Sequence, residues 1–136
     1  MTHRSVGTPE KKHTQRGDGL VEFALILPVL MLLIMGILDL GRAVYAYSVV
    51  ANSAREGCRY ASVTPGDDLA IAAICKSAAV GLDATAMTVT VYYPTTDSVR
   101  VRVSYQFEVI TLLVAQAISG RTTLTLASQA TMYTGY

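Results

Sequence analysis

The chain has 136 residues, 51% of them hydrophobic, and eleven Lys and Arg against ten Asp and Glu give a net charge of +1; its mean hydropathy of +0.39 is high for a soluble protein. That length holds one modest domain beside a membrane segment, and the balanced charge offers no electrostatic footprint for nucleic acid. The only histidines are His3 and His13, so the body of the chain lacks the commonest general base and metal ligand; no catalytic residue, metal site or cofactor is expected, and an extracytoplasmic enzyme is the weakest functional class.

Residues 1–17 are polar and basic, with too little apolar surface to order themselves, and read as a disordered cytoplasmic leader. The next stretch, RGDGLVEFALILPVLMLLIMGIL, holds sixteen consecutive residues without an ionisable group, Phe23 to Leu38. Extended by Gly19 to Val21 and by Leu40, it predicts a short transmembrane helix over 18–40, kinked at Pro28. Lys and Arg flank it as Arg4, Lys11, Lys12 and Arg16 before and Arg42, Arg55 and Arg59 after, a small bias toward a cytoplasmic N-terminus. A secretory signal ending at Val44-Tyr45-Ala46 is the competing reading. It fits less well, because the apolar run exceeds a signal core and a helical pattern continues beyond it.

That pattern places Leu40, Ala43, Val44, Tyr47, Val50, Ala51, Ala54, Cys58 and Ala61 at spacings of three and four, an amphipathic continuation over 41–62. Thr64-Pro65-Gly66-Asp67 ends it; Asp67 or Asp68 caps a second helix over 67–81, which Gly81 closes. From Met87 the period changes to two. Val89 and Val91 alternate with threonines, then Val99, Val101, Val103, Tyr105 and Phe107 alternate with Arg100, Arg102, Ser104 and Gln106, which predicts an antiparallel hairpin with one wet face. A short helix near 111–118 and a third strand ending at Met132 complete a sheet region over 87–133. The expected fold is therefore α+β: a long N-terminal membrane-spanning helix whose amphipathic half packs on a small antiparallel sheet, forming an extracytoplasmic head over 41–136.

Cys58 and Cys75 both follow the span, where an oxidising compartment would let them pair; both also fall on inward faces, where they would equally serve as buried thiols. Glu22 stands alone in the apolar run. A charge in hydrocarbon costs roughly 2.5 to 3.5 kcal/mol on insertion scales, so an acid kept there has a partner or a task. One reading puts it in a first helical turn, favoured by the dipole. The other starts from a cut after Gly17, which exposes the amine of Asp18, with a pKa near about 8; a neighbour's Glu22 would neutralise that amine and set the register between packed copies.

RGDGLVEFALILP followed by DLGRAVYAYSVVANSAREGCRYA, over about Arg16 to Ala61, resembles the TadE-like pseudopilins of the Tad (tight adherence, Flp) pilus machinery, a branch of the type IV pilin group. The resemblance implies a structural minor pilin of a prokaryotic inner membrane, single-pass with its N-terminus cytoplasmic. It also implies cleavage by a membrane prepilin peptidase between Gly17 and Asp18, Glu22 as the assembly acid, and packing against other pilin or pseudopilin subunits and the inner-membrane assembly platform. Phe23 stands where the Flp pilins have tyrosine, and Cys58 where small residues such as alanine are frequent. The alternative function is an unprocessed single-span scaffold or binding protein whose head holds a partner outside the membrane.

Overall fold

The structure, a computed structural model, describes residues 15–110 and 123–134. The leader up to residue 14, both histidines and the short helix expected near 111–118 lie outside the described residues. In chain order come α1 (Gln15–Val63), α2 (Asp68–Ala78), a single 3-10 turn (Ala84–Ala86), and strands β1 (Met87–Thr95), β2 (Ser98–Glu108) and β3 (Thr123–Tyr133). The class is the α+β expected from periodicity: a long apolar N-terminal helix and a three-stranded antiparallel sheet in the order β1-β2-β3.

The chain divides into two units, Met1–Ile34 and Met35–Tyr136. In the first, α1 begins at Gln15 and so reaches back across Gly17 into the segment read as leader. From Gly19 to Ile34 every side chain is exposed. The helix that contains them is long and apolar enough to cross a membrane, with a mean hydropathy of 2.6 in its most apolar window. Leu, Met, Ile and Ala carry the helical propensity there, and Pro28 interrupts the backbone ladder.

In the second unit the rest of α1 lies on the sheet through a row of small side chains: Ala46, Val50, Ser53, Ala54, Gly57, Cys58 and Ala61 are all buried. This corrects the lower part of the expected stripe. Leu40, Val44 and Tyr47 are 66%, 59% and 52% exposed, because the side of the helix that meets the sheet there carries the paired Asp39 and Arg42, the latter over Phe107, and leaves the more apolar side outward. Val99, Val101, Val103 and Phe107 alternate inward from β2 and close the core against α1 with Met87, Ile71 and Cys75. Register follows the pattern: Val101 pairs with Val91 and Ala130, and Arg102 pairs with Thr90 and Gln129 on the opposite face.

Local chemistry sets the connections. Asp67 is the N-cap of α2, its carboxylate accepting from the Ala70 amide at 3.0 Å. Gly66 takes φ +92°, and its amide donates to the Tyr93 hydroxyl at 2.9 Å, which in turn donates to Asp68 at 3.0 Å. The far end of α2 departs from expectation: Ala79 is the C-cap, while Gly81, at φ +77°, lies under the Tyr45 ring. Tyr45 donates its hydroxyl to the Val80 carbonyl at 3.1 Å. This aromatic therefore holds the α2 exit against α1.

Candidate functional site

Gly17 and Glu22 lie on the first third of α1, and both are exposed. A Cβ added at Gly17 would meet nothing within 4 Å, so packing within the chain does not demand glycine there. Glu22 has no ion pair among the described residues. Because α1 starts at Gln15, Glu22 lies well past the first turn, beyond the reach of the helix dipole. The dipole therefore does not account for an acid at this position in the uncut chain. Of Asp18 only its place in the helix is described, so Gly17, Asp18 and Glu22 share one helix without a described contact between them.

The second arrangement is the seam between α1 and α2. Cys58 and Cys75 stand as free, fully buried thiols in one core cluster. The Cys58 Sγ donates weakly to the Val99 carbonyl at 3.5 Å. The Cys75 Sγ occupies the space directly over Gly57, where any side chain on that residue would collide with it. Ser53 donates its buried hydroxyl to the Cys75 carbonyl at 2.6 Å. Burial pushes the Cys75 thiol up to about 11, against a smaller downward pull from Ser53; burial likewise raises Cys58. Both shifts favour the neutral thiol over the reactive thiolate.

Sequence reasoning missed three residues that position these parts. Asp39 is 8% exposed and accepts from Arg42 at 3.1 Å, while the Arg42 guanidinium stacks 5.2 Å above the Phe107 ring. The signal was the i, i+3 acid–base pair at the close of the apolar run. Gly57 and Ser53, the others, read as unremarkable members of a small-residue helix. Arg59 pairs with Glu56 at 3.0 Å on the surface. Arg100 and Arg102 lie on the outer face of the sheet, where Arg100 donates to Thr131 at 3.1 Å.

Residues 17–59 match the model of a family described as TadE-like protein. No curated protein and no solved structure matches the chain.

Proposed function

We propose, from the match of residues 17–59 to the TadE-like family, that this chain is a pilus-associated protein of the Tad type, anchored by a single N-terminal span. More finely, it acts as a structural minor pilin processed after Gly17 and packed through its apolar helix. The observation that carries this reading is the exposed face of α1. From Gly19 to Leu38 it is apolar apart from Glu22 and unburied by its own chain. Such a surface needs lipid before assembly and neighbouring helices after it.

In this reading a membrane prepilin peptidase on the cytoplasmic side removes the leader, taking four basic side chains and Glu10 with it. The new Asp18 amine is then offered to the Glu22 of an adjoining subunit, while the head faces away from the cytoplasm. Other pilin-like subunits and the inner-membrane assembly platform are the partners. N-terminal sequencing of the mature protein tests the step: Asp18 as the first residue is expected, and Met1 or Thr2 in assembled, working material would overturn it. One observation favours the alternative of an uncut single-span scaffold, namely that α1 runs unbroken through Gly17 and Asp18; the same sequencing separates the two.

Export of the head also brings the cysteines into an oxidising compartment, and pairing of Cys58 with Cys75 belongs to the proposal. The closed loop would tie α2 to α1 and stabilise the head by about 3 kcal/mol on the loop-entropy account. Denaturation in an alkylating agent without reductant, followed by intact mass, is expected to leave both sulfurs unlabelled. Two labels per chain would show that the seam works as packed thiols.

A further inference from the structure

The two edges of the sheet are built differently. β1, one edge, contains Pro94 and loses register between Tyr92 and Thr95, devices that blunt an edge against further pairing. β3, the other, has eleven residues, TLTLASQATMY, with neither a charge nor a proline. It keeps unbroken register with β2 from Thr123 to Tyr133. Among the described residues no strand pairs along its far side. A long, uncharged, regular edge is a template for another strand.

The surroundings of this edge specify what fits. A cleft of about 480 Å³ is lined by Tyr47, Arg102, Ala127, Ser128 and Gln129. Tyr47 comes from the helix side of the sheet and Arg102 from the opposite face, so the cleft opens around the middle of β3. Arg102 is exposed and has no hydrogen-bond or ion-pair partner among the described residues. The only acid in the three strands is Glu108, at the far end of β2. The positive charge that the central strand presents to this cleft is thus unanswered by the sheet that carries it.

We propose that the open edge of β3 is a docking site for a fourth strand supplied by another polypeptide, an extended segment of alternating uncharged residues with a central carboxylate that meets Arg102. Main-chain hydrogen bonds along β3 give the affinity, and the Arg–carboxylate pair fixes the register. A second copy of this chain fits less well. Arg42 of α1 stacks on Phe107 and Cys58 bonds Val99, so β2 runs against α1 and β3 runs with it. A symmetric β3–β3 pair would therefore set the parts of two α1 helices that lie on the sheets in opposite directions. It would also bring no acid to Arg102. The site does not depend on cleavage at Gly17, and its failure would leave the pilin reading standing.

The test is hydrogen–deuterium exchange on the full-length protein in detergent, with a synthetic nine-residue peptide alternating valine and threonine around a central glutamate. At about nine-tenths occupancy, amides at the β3 edge are expected to exchange about tenfold more slowly while β1 is unchanged. Arg102→Glu abolishes the effect, and a peptide with lysine in place of glutamate restores it in that variant; unchanged α2 protection shows that the variant is folded. No slowing in the wild type overturns the proposal, as does slowing indifferent to both charge changes. Protection without peptide overturns it too: independent of protein concentration, it means that this chain covers its own edge, and rising with concentration, it means that a second copy does.

Discussion

Glu22→Ala is expected to give a chain that inserts in the membrane and folds its head at normal levels, yet is absent from assembled fibres. The two halves of this result rest on separate parts of the molecule. The buried core of the head begins at Asp39 and Ala46 and contains nothing from the segment around Glu22, and removing a charge from an apolar span eases its insertion. Assembly is different. An Asp18 amine buried against a neighbour that lacks Glu22 is an unpaired charge in low dielectric, a loss of about 3 to 5 kcal/mol when one partner of a buried pair is removed. At about 1.4 kcal/mol per tenfold, that weakens subunit association between a hundredfold and a few thousandfold. Glu22→Gln separates charge from polarity: it keeps a hydrogen-bond acceptor for the amine and is expected to assemble poorly but measurably. Immunoblots of the membrane fraction and of sheared fibres read both halves together. Glu22→Ala at wild-type abundance in fibres would remove the register role, whatever N-terminal sequencing shows.

Much of the head was legible because its two periods differ. Val99, Val101, Val103 and Phe107 point one way and Arg100 and Arg102 the other, and a period of two admits only one division of faces, so the strands and the β1–β2 hairpin followed from residue order. Asp67 was legible as a cap because turn and cap chemistry is local. The lower part of α1 was not. Around Leu40, Val44 and Tyr47 the face that meets the sheet carries Asp39 and Arg42, so hydrophobicity points to the wrong side of the helix, and above it the buried face is chosen by side-chain size. The alanines, serine and glycine between Ala46 and Ala61 let the sheet approach, and hydrophobicity does not register that property. Gly81 shows the same difficulty at a turn. Its positive φ was foreseeable, but its position beneath Tyr45 depends on a contact 36 residues away in the sequence. Gly17 and Glu22 were conspicuous as a pattern, yet among the described residues neither has an ion-pair partner, and the role proposed for them requires a second molecule.

Gly57→Ala is expected to destabilise the head even though it replaces the worst interior helix former but one with the best. Propensity alone would favour alanine by about 0.8 to 1 kcal/mol. Against that, the new methyl falls on the Cys75 Sγ, with Val101 at 3.5 Å and Ile71 at 3.7 Å closing the remaining directions. All three neighbours are fully buried, and the Cys75 carbonyl is held by Ser53 at 2.6 Å, so α2 has little room to retreat. Overpacking in such a site costs about 1 to 3 kcal/mol and more when the obstacle cannot turn aside. A net loss of up to about 2 kcal/mol, or up to about 16 °C in Tm for a unit of this size, follows. The decisive measurement is a double-mutant cycle under reductant, which keeps any cysteine pairing out of the comparison. Cys75→Ala alone leaves a sulfur-sized void and costs about 1 kcal/mol. In Gly57→Ala/Cys75→Ala the added methyl enters the space that the sulfur vacates, so the double variant should be more stable than Gly57→Ala alone, with a coupling of about 1 to 3 kcal/mol. Strict additivity would mean that Cys75 is not what requires glycine at 57, and that the close approach of α2 to α1 has another cause.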